Sequence, residues 1–542
     1  MAAARRGRVD MGFFRKVLGR FGAGEGCRTR RTVSQSAMME WFECGWLARL
    51  VVLGLCGAAM VWMLASGGGG VVPERALMSG FIYLLSVVLI WVNHKPLWCS
   101  NSRLALFFVT MLVHVFAVKL MVGAADEQLA SVGAGSAGGE GMFFSPQLRH
   151  QMLWVLLPHG LAPLTISILL GTRLGVAMAI FTGLFAAMTR GGLDASLLVM
   201  ALLAAFTGAL ATQNVRRRAD LLRAGFLIGN TTFVLALVLG LFGPVAVTAW
   251  LGFPWKMTGV MWVAAMCGGV LLAMLVNGVI PILEGVFGIT TTLSWIELAD
   301  LNHPLLKRMV LEAPGTYHHS LMVAAISESA AGEIGADSAR TRACAYFHDI
   351  GKLTKPQYFG ENRGARDPHE DLTPWMSALV IIAHVKDGVD LALKHRLRRP
   401  MIDVIREHHG TQRVRFFLRR AMELAEKARA EGVPDNEVPE VREESFRYPG
   451  PKPSTKESAI IAMADAVESA SRAMKEVSVP RLHGLVDDLV DEKIRDGQLS
   501  ECPLTMQEIS VVKESFKRSL VVMSHARIAY PEDVDRKKTR TV

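Results

Sequence analysis

The first 290 residues most constrain what this chain can fold into, because they alternate apolar runs with short polar breaks. Runs occupy roughly 46–65, 77–92, 104–122, 152–170, 174–189, 195–212, 225–246 and 259–283. A helix rises ~1.5 Å per residue, so about 20 apolar residues cross a ~30 Å hydrocarbon layer. Most of the runs have that length; 77–92 and 174–189 are shorter and must extend into their flanks. The whole chain is 51% hydrophobic and only 20% charged, and the apolar excess lies before residue 290. The pattern predicts about eight transmembrane helices in a membrane domain spanning 46–283.

Basic residues set the expected orientation. The stretch 1–45 carries nine arginines and lysines before residue 32, among them Arg5, Arg15, Lys16 and Arg31. The first apolar run follows too late for a cleaved leader, so this reads as a basic cytoplasmic arm. An RNA-binding tail is the other reading of the same charge, and no nucleic acid polymer is expected as a partner. With the amino terminus inside, the inner loops hold Lys95, Arg103, Arg173, Arg216, Arg217, Arg218 and Arg223. The outer loops hold only Arg75, Arg149, Arg190 and Lys256. That asymmetry is the positive-inside pattern. It predicts a multi-pass membrane protein with both termini and everything after residue 284 in the cytoplasm. Arg49 and Lys119, near span ends, are expected to snorkel. Pro158 and Pro163 predict a bent fourth helix beside His159, which with His114 is a rare ionisable residue in the spans. Residues 123–149 are Gly- and Ser-rich and read as a loop. The seven cysteines show neither ligand spacing nor a disulfide framework.

After the membrane, 284–310 reads as a coupling segment broken at Asn302-His303-Pro304. Residues 311–535 read as an all-helical domain, and 536–542 as a polar tail. Within that domain lie His319, the pair His348-Asp349, His384, the pair His408-His409, and Asp465. His319 and Val323 share a helix face, which turns His319 inward. Gly351 and Gly410, after the two pairs, fit helix ends, where neighbouring side chains can converge. Asp465 sits in an apolar helical run and needs a partner, for which a metal ion is the simplest choice. Ser454-Thr455-Lys456-Glu457 reads as a capping box before that helix. Five histidines and two aspartates exceed the demand of one tetrahedral ion. Two ions sharing a carboxylate would use all seven, with Asp349 the natural bridge. Lys352 and Arg472 are candidates to face a phosphate. The polar stretch between Pro356 and Pro374 reads as a rim or lid.

These residues resemble the HD phosphohydrolase superfamily, whose signature is His…His-Asp…Asp. Longer phrases narrow the likeness: Ala313-Pro314-Gly315-Thr316-Tyr317-His318-His319-Ser320, Tyr346-Phe347-His348-Asp349-Ile350-Gly351-Lys352, His384-Val385-Lys386-Asp387-Gly388, Ile405 to Thr411, and Phe446-Arg447-Tyr448-Pro449-Gly450-Pro451-Lys452-Pro453. They are similar to the membrane-bound 7TM-HD family. That resemblance implies a polytopic α-helical membrane domain followed by an all-α HD phosphohydrolase domain. It implies one ion held by His319, His348, Asp349 and Asp465, and another by His384, His408 and His409 with Asp349 shared; His318 is not a ligand. It also implies iron or manganese, and hydrolysis of cyclic di-AMP to linear pApA as control of a second messenger. Family members with that activity carry a large extracytoplasmic domain after the first span, whereas Ser66 to Ala76 here is a short loop. The Gly-Tyr-Pro extension of cyclic di-GMP enzymes does not follow His408-His409-Gly410, which disfavours that substrate. The rival readings are another cyclic dinucleotide or nucleotide as substrate, and a non-catalytic membrane nucleotide sensor. Homo-oligomerisation is left open.

Overall fold

The computed structural model describes residues 42–525 apart from 44, 68–69, 134–145, 214, 242–254, 365, 435–437 and 475. The basic arm to residue 41 and the tail 536–542 therefore lie outside the described residues. The chain divides into two compact units between Leu293 and Ser294.

Among the described residues, the regular elements of the first unit are helices and one small hairpin. Its helices are α1 (Trp46–Ala65), α2 (Pro73–Asn93), α3 (Asn101–Gly133), α4 (Pro146–Val155), α5 (Leu161–Leu170), α6 (Thr172–Ala187), α7 (Ala195–Ala211), α8 (Arg218–Val238) and α9 (Trp255–Phe287). Strands β1 (Ser66–Gly67) and β2 (Gly70–Val71) pair antiparallel and join α1 to α2. Among the described residues, five helices are long and apolar enough to cross a membrane: α1, α2, α3 to Glu127, α8, and α9 from Thr258. Of the eight expected runs, 152–170 is the one the structure breaks: α4 stops at Val155 and α5 starts at Leu161. Pro158 lies inside the break and cannot donate to a helical ladder, which accounts for the bend the sequence predicts. Helices α6 and α7, with 16 and 17 residues, reach only ~24–26 Å. The end of the seventh run, 242–246, lies outside the described residues.

Packing in this unit follows membrane rules. Phe107, Phe108, Met111 and Val115 of α3 are fully buried, whereas Trp62 and Leu55 of α1 are 69% and 67% exposed. An apolar outer face is what lipid requires. Gly225 and Gly229 of α8 lie against Gly269 and Ala265 of α9, so close that a Cβ on either glycine would strike backbone. That small-residue contact lets the two helices touch along their backbones. Two expectations fail. Arg49 does not snorkel; it is 3% exposed, donates from Nε to Asn101 Oδ1 at 2.9 Å and lies over the Trp98 ring. Residues 123–133 are not loop but the last turns of α3, since Ala124, Ala125, Glu127 and Leu129 favour helix once a long helix is already nucleated. His114 and His159 are fully buried, and His114 Nδ1 accepts the Ala162 amide where the chain re-enters helix after the break.

Among the described residues, the second unit contains α10 (Thr292–Leu298), whose first two residues fall before the division, α11 (Pro304–Glu312), α12 (Pro314–Glu333), α13 (Ser338–Phe347), α14 (Pro374–Lys394), α15 (Arg399–Glu407), α16 (Arg415–Ala430), α17 (Lys456–Arg472), α18 (Val479–Arg495) and α19 (Met506–His525), with one β-bridge between Arg413 and Arg447. His303 caps α11, with Nδ1 accepting from Leu305 N, and Pro304 sits where its missing N–H costs nothing. The core joins Val323 and Ile326 of α12, Phe347, Ile460 and Ile461 of α17, Val486 and Val490 of α18, and Phe516 of α19. Trp295, Leu305, Leu306 and Met309 belong to the same core. The cap of α17 is one residue later than the sequence predicts. Thr455 is the N-cap and accepts from Ser458 N, while Ser454 bonds Glu407 and Glu457 turns to Asp337 N and Arg340.

Candidate metal centre

Two helix ends and three helix faces deliver the seven predicted ligands to one place. His319 projects from the first half of α12, and Asp465 from the middle of α17. Helix α13 stops at Phe347; His348 is its cap and Asp349 leaves helical geometry at φ −109°, ψ 16°. This end lets adjacent side chains converge, which mid-helix geometry opposes. Helix α15 likewise stops before His408-His409, and Gly410 takes the left-handed φ of 53° that closes the turn. Gly351 serves differently from expectation. It carries no left-handed φ; a Cβ there would strike His384 O and Gly388 N, so glycine permits the turn Ile350–Thr354 to touch α14.

Asp349 occupies the middle. Its Oδ2 lies 3.4 Å from His319 Nε2 and 3.3 Å from His348 Nε2. Its Oδ1 lies 3.4 Å from His384 Nε2 and 3.6 Å from His408 Nε2. Asp465 closes the first set, with Oδ1 3.1 Å from His319 Nε2, and its Oδ2 is 3.7 Å from His409 Nδ1. Two groups thus form, His319-His348-Asp349-Asp465 and Asp349-His384-His408-His409, each with ligand atoms within 4.8 Å of one another. His319 Nε2, His348 Nε2 and Asp349 Oδ1 are buried without a hydrogen-bond partner. Leaving such atoms unsatisfied costs about 1–3 kcal/mol each, and a divalent cation satisfies them together. The centre therefore fits divalent metal ions.

The outer nitrogens are fixed by the protein. Nδ1 of His348, His384 and His408 donates to the carbonyl three residues earlier, Ala345 O at 2.7 Å, Ile381 O at 2.6 Å and Ile405 O at 2.8 Å. That presents Nε2 lone pairs inward. His319 Nδ1 instead meets Glu468 Oε2 at 2.5 Å. Burial opposes charge on Asp349 and Asp465, yet Lys352 with His348 and His319 holds Asp349, and His319, His409 and His348 hold Asp465, well below the usual carboxylate range. Burial pushes His384 down to about 4, against the pull of Asp349, so its ring is neutral at pH 7. Burial also opposes charge on His319, but Asp349, Asp465 and Glu468 hold it well above its ordinary value.

The other sequence candidates land near the centre with partners already in place. Lys352 Nζ is 2.8 Å from both Asp349 Oδ2 and Glu361 Oε1. Arg472 reaches the centre only indirectly, 3.6 Å from Glu468 Oε2. The expected rim between Pro356 and Pro374 is a chain of tight turns, and it is anchored: Asn362 Oδ1 accepts from Gly315 N and Glu361 Oε1 accepts from Thr316 Oγ1 at the start of α12. Four supporting residues escaped the sequence reading. Glu468, one turn beyond Asp465, could have been found as a second carboxylate on an apolar face. Glu361 carries no such signal, while Glu407 and Tyr448 lie inside phrases that carry the family resemblance without a role of their own being readable there. Glu407 accepts from Ser454 and Ser458 and so ties α15 to α17. Tyr448 stacks on His409 with ring centroids 4.3 Å apart.

Residues 74–291 match the family described as "7TM receptor with intracellular HD hydrolase", and residues 316–470 match the HD domain. The chain is 35% identical over 387 residues to the cyclic-di-AMP phosphodiesterase PgpH of Listeria monocytogenes, covering 70% of this chain and 51% of that protein. It is 33% identical over 394 residues to PgpH of Bacillus subtilis, covering 71% and 52%. The chain thus spans about half the length of the curated relatives it matches. Crystal structures of the L. monocytogenes PgpH HD domain, alone and in complex with cyclic-di-AMP, are 39% and 38% identical. Each covers 41% of this chain, with 100% and 99% of the crystallised chain matched and a TM-score of 0.38. With a 7TM region followed by an HD domain, and with its seven histidine and aspartate positions gathered in one buried centre, this chain belongs to the membrane-bound 7TM-HD family of HD-domain phosphohydrolases.

Proposed function

We propose that the chain is a metal-dependent phosphodiesterase that hydrolyses a cyclic dinucleotide, cyclic di-AMP, to linear pApA. The observation that carries this is Asp349, with one carboxylate oxygen toward each histidine group. The names of the two PgpH relatives support the substrate. His319, His348, Asp349 and Asp465 would hold one divalent ion, and Asp349, His384, His408 and His409 would hold the other. Imidazole and carboxylate donors suit iron and manganese. When bound, a pair of such ions lowers the pKa of water and neutralises charge on a phosphoryl group.

The protein's own residues do the rest. Only two of the seven ligand side chains are anionic, so the loaded centre is positive and attracts a diester. Lys352, clamped between Asp349 and Glu361, keeps Asp349 ionised and fixed in orientation. Glu468 orients His319 in the same way. The backbone carbonyls on His348, His384 and His408 keep each Nε2 unprotonated and available. The ligands that retain side-chain exposure are His409 at 19% and Asp465 at 11%, so substrate approaches from their side. Arg472, 3.6 Å from Glu468 Oε2, is a candidate further cation for phosphate.

The domain plan that accompanies this reading is a basic arm to residue 45, a membrane domain over 46–283, a coupling segment over 284–310 and a catalytic domain over 311–535. Seven of the eight apolar runs fall within the segment matching the 7TM family, which supports an even total and a cytoplasmic catalytic domain. The test is turnover by the full, detergent-solubilised chain on a panel of cyclic dinucleotides and nucleotides, with metal analysis. Formation of pApA with two ions per chain is expected. Preference for another nucleotide would move the substrate, and tight binding without turnover would make the protein a sensor. A reporter fused after Val542 should be active only on the cytoplasmic side.

A further inference from the structure

Four of the five histidines in the metal centre have their outer nitrogen held by the protein, His348, His384 and His408 by backbone carbonyls and His319 by Glu468. His409 is different. Among the described residues its ring makes no hydrogen bond, and Asp465 Oδ2 stands 3.7 Å from its Nδ1, beyond hydrogen-bond reach. Its side chain is 19% exposed, against 2% or less for the other four. An imidazole without a hydrogen bond turns easily about χ2, because that torsion has a broad well.

Rings supply the constraint instead. The His409 ring stacks on Tyr448, with centroids 4.3 Å apart and planes 28° apart. It meets His384 nearly edge-on, at 5.0 Å and 87°. Tyr448 also meets His384 edge-on, at 6.0 Å and 82°. Its hydroxyl makes no hydrogen bond among the described residues, so the ring face is the part in use. The mount of that ring is firm. Tyr448 N donates to Gln412 O at 2.9 Å, and Val414 N donates to Phe446 O at 2.8 Å. Arg447 Nη1 donates to Thr411 O at 2.9 Å. Phe446 is fully buried in a cluster with Ala378 of α14 and Phe417 and Leu418 of α16. Residues 446–448 are thus pinned along the residues that follow His409. An imidazole bound to a dication gains positive character, and the face of a phenol ring attracts it.

We propose that Tyr448 is a positioning residue whose ring face fixes the His409 imidazole for metal binding, in place of the hydrogen bond that orients each of the other four histidines. This rests on the two-ion centre of the phosphodiesterase reading. Its reach is confined to one group, since among the described residues the Tyr448 ring meets His384 and His409 and neither His319 nor His348.

The experiment titrates metal-stripped full chains with Mn2+ by calorimetry, as wild type, Tyr448→Phe and Tyr448→Leu. Phenylalanine keeps the ring face and should bind both ions as the wild type does. Leucine removes it; one ion should bind as before and the other about tenfold more weakly, the loss typical of an outer residue that orients a ligand. In a His409→Ala chain, Tyr448→Leu should change nothing further, because the ligand it acts through is gone. If a thermal melt shows the leucine variant unfolded, Tyr448→Met supplies the same comparison. Unchanged affinity for both ions without the ring, equal loss at both, or a phenylalanine variant as weak as the leucine one overturns the inference. So does a further loss from Tyr448→Leu in the His409→Ala chain, or a wild type that binds fewer than two ions. Two ions with the expected dependence, in a wild type that releases no pApA, support the inference while ending the phosphodiesterase reading.

Discussion

Asp349 has its two oxygens committed in opposite directions, and this makes it unlike any other ligand. Removing it by Asp349→Ala opens both groups at once and leaves two cations without the anion between them. The expected outcome is loss of both ions and a fall in turnover of at least about a thousandfold, the scale of several kcal/mol of lost stabilisation. His384→Ala touches one group and should leave metal bound at His319, His348 and Asp465. Metal content and pApA formation for the two variants separate these outcomes; full metal and near-normal turnover in Asp349→Ala would end the two-ion reading. Glu468 acts one layer out. Glu468→Gln keeps the shape and weakens the hold on His319 Nδ1, so metal affinity at that group should fall about 10–100-fold. A metal titration with unchanged affinity would make Glu468 a packing residue only.

At the scale of elements, legibility in the sequence tracked how local the cause was. The ligands were readable because histidine and aspartate in apolar helical runs have few other uses, and because a helix end permits neighbours such as His348 and Asp349 to converge. The bend at Pro158 was readable because proline carries its reason within itself. Glu361 was not, since its value comes from a turn docking on the start of α12, 45 residues earlier. Nor was the reason for Gly351. The sequence offers a helix terminus; the structure offers contact between the turn Ile350–Thr354 and α14, which depends on tertiary approach. Gly351→Ala should therefore cost about 1–3 kcal/mol through overpacking and displace His384. A lower unfolding temperature with reduced metal at the His384 group is expected. An unchanged unfolding temperature would show that α14 can shift without penalty. The cap of α17 missed by one residue because Ser454 is drawn away by Glu407 on α15, a partner no local pattern announces.

At the scale of the whole molecule, the two units meet different solvents, and the sequence separates them well because lipid and water select opposite surfaces. The boundary is harder. A composition-based boundary at 311 leaves α10 and α11 outside the catalytic domain, yet Trp295, Leu305, Leu306 and Met309 are each 2% exposed or less and pack in its core. The ring of His303 stands 5.0 Å from that of Phe347, the residue before His348. Those four side chains contribute about 1.5–3 kcal/mol each when buried, which is comparable to the total stability of a small domain. Anyone excising the second unit for crystallisation or assay should therefore cut before Ser294. A product starting at 311 should unfold well below one starting at 294 in a thermal melt, and equal melting would show the four side chains to be dispensable. The segment 294–310 is thus a part of the HD unit itself, and a truncated product that proves inactive would report a missing wall as readily as a missing signal.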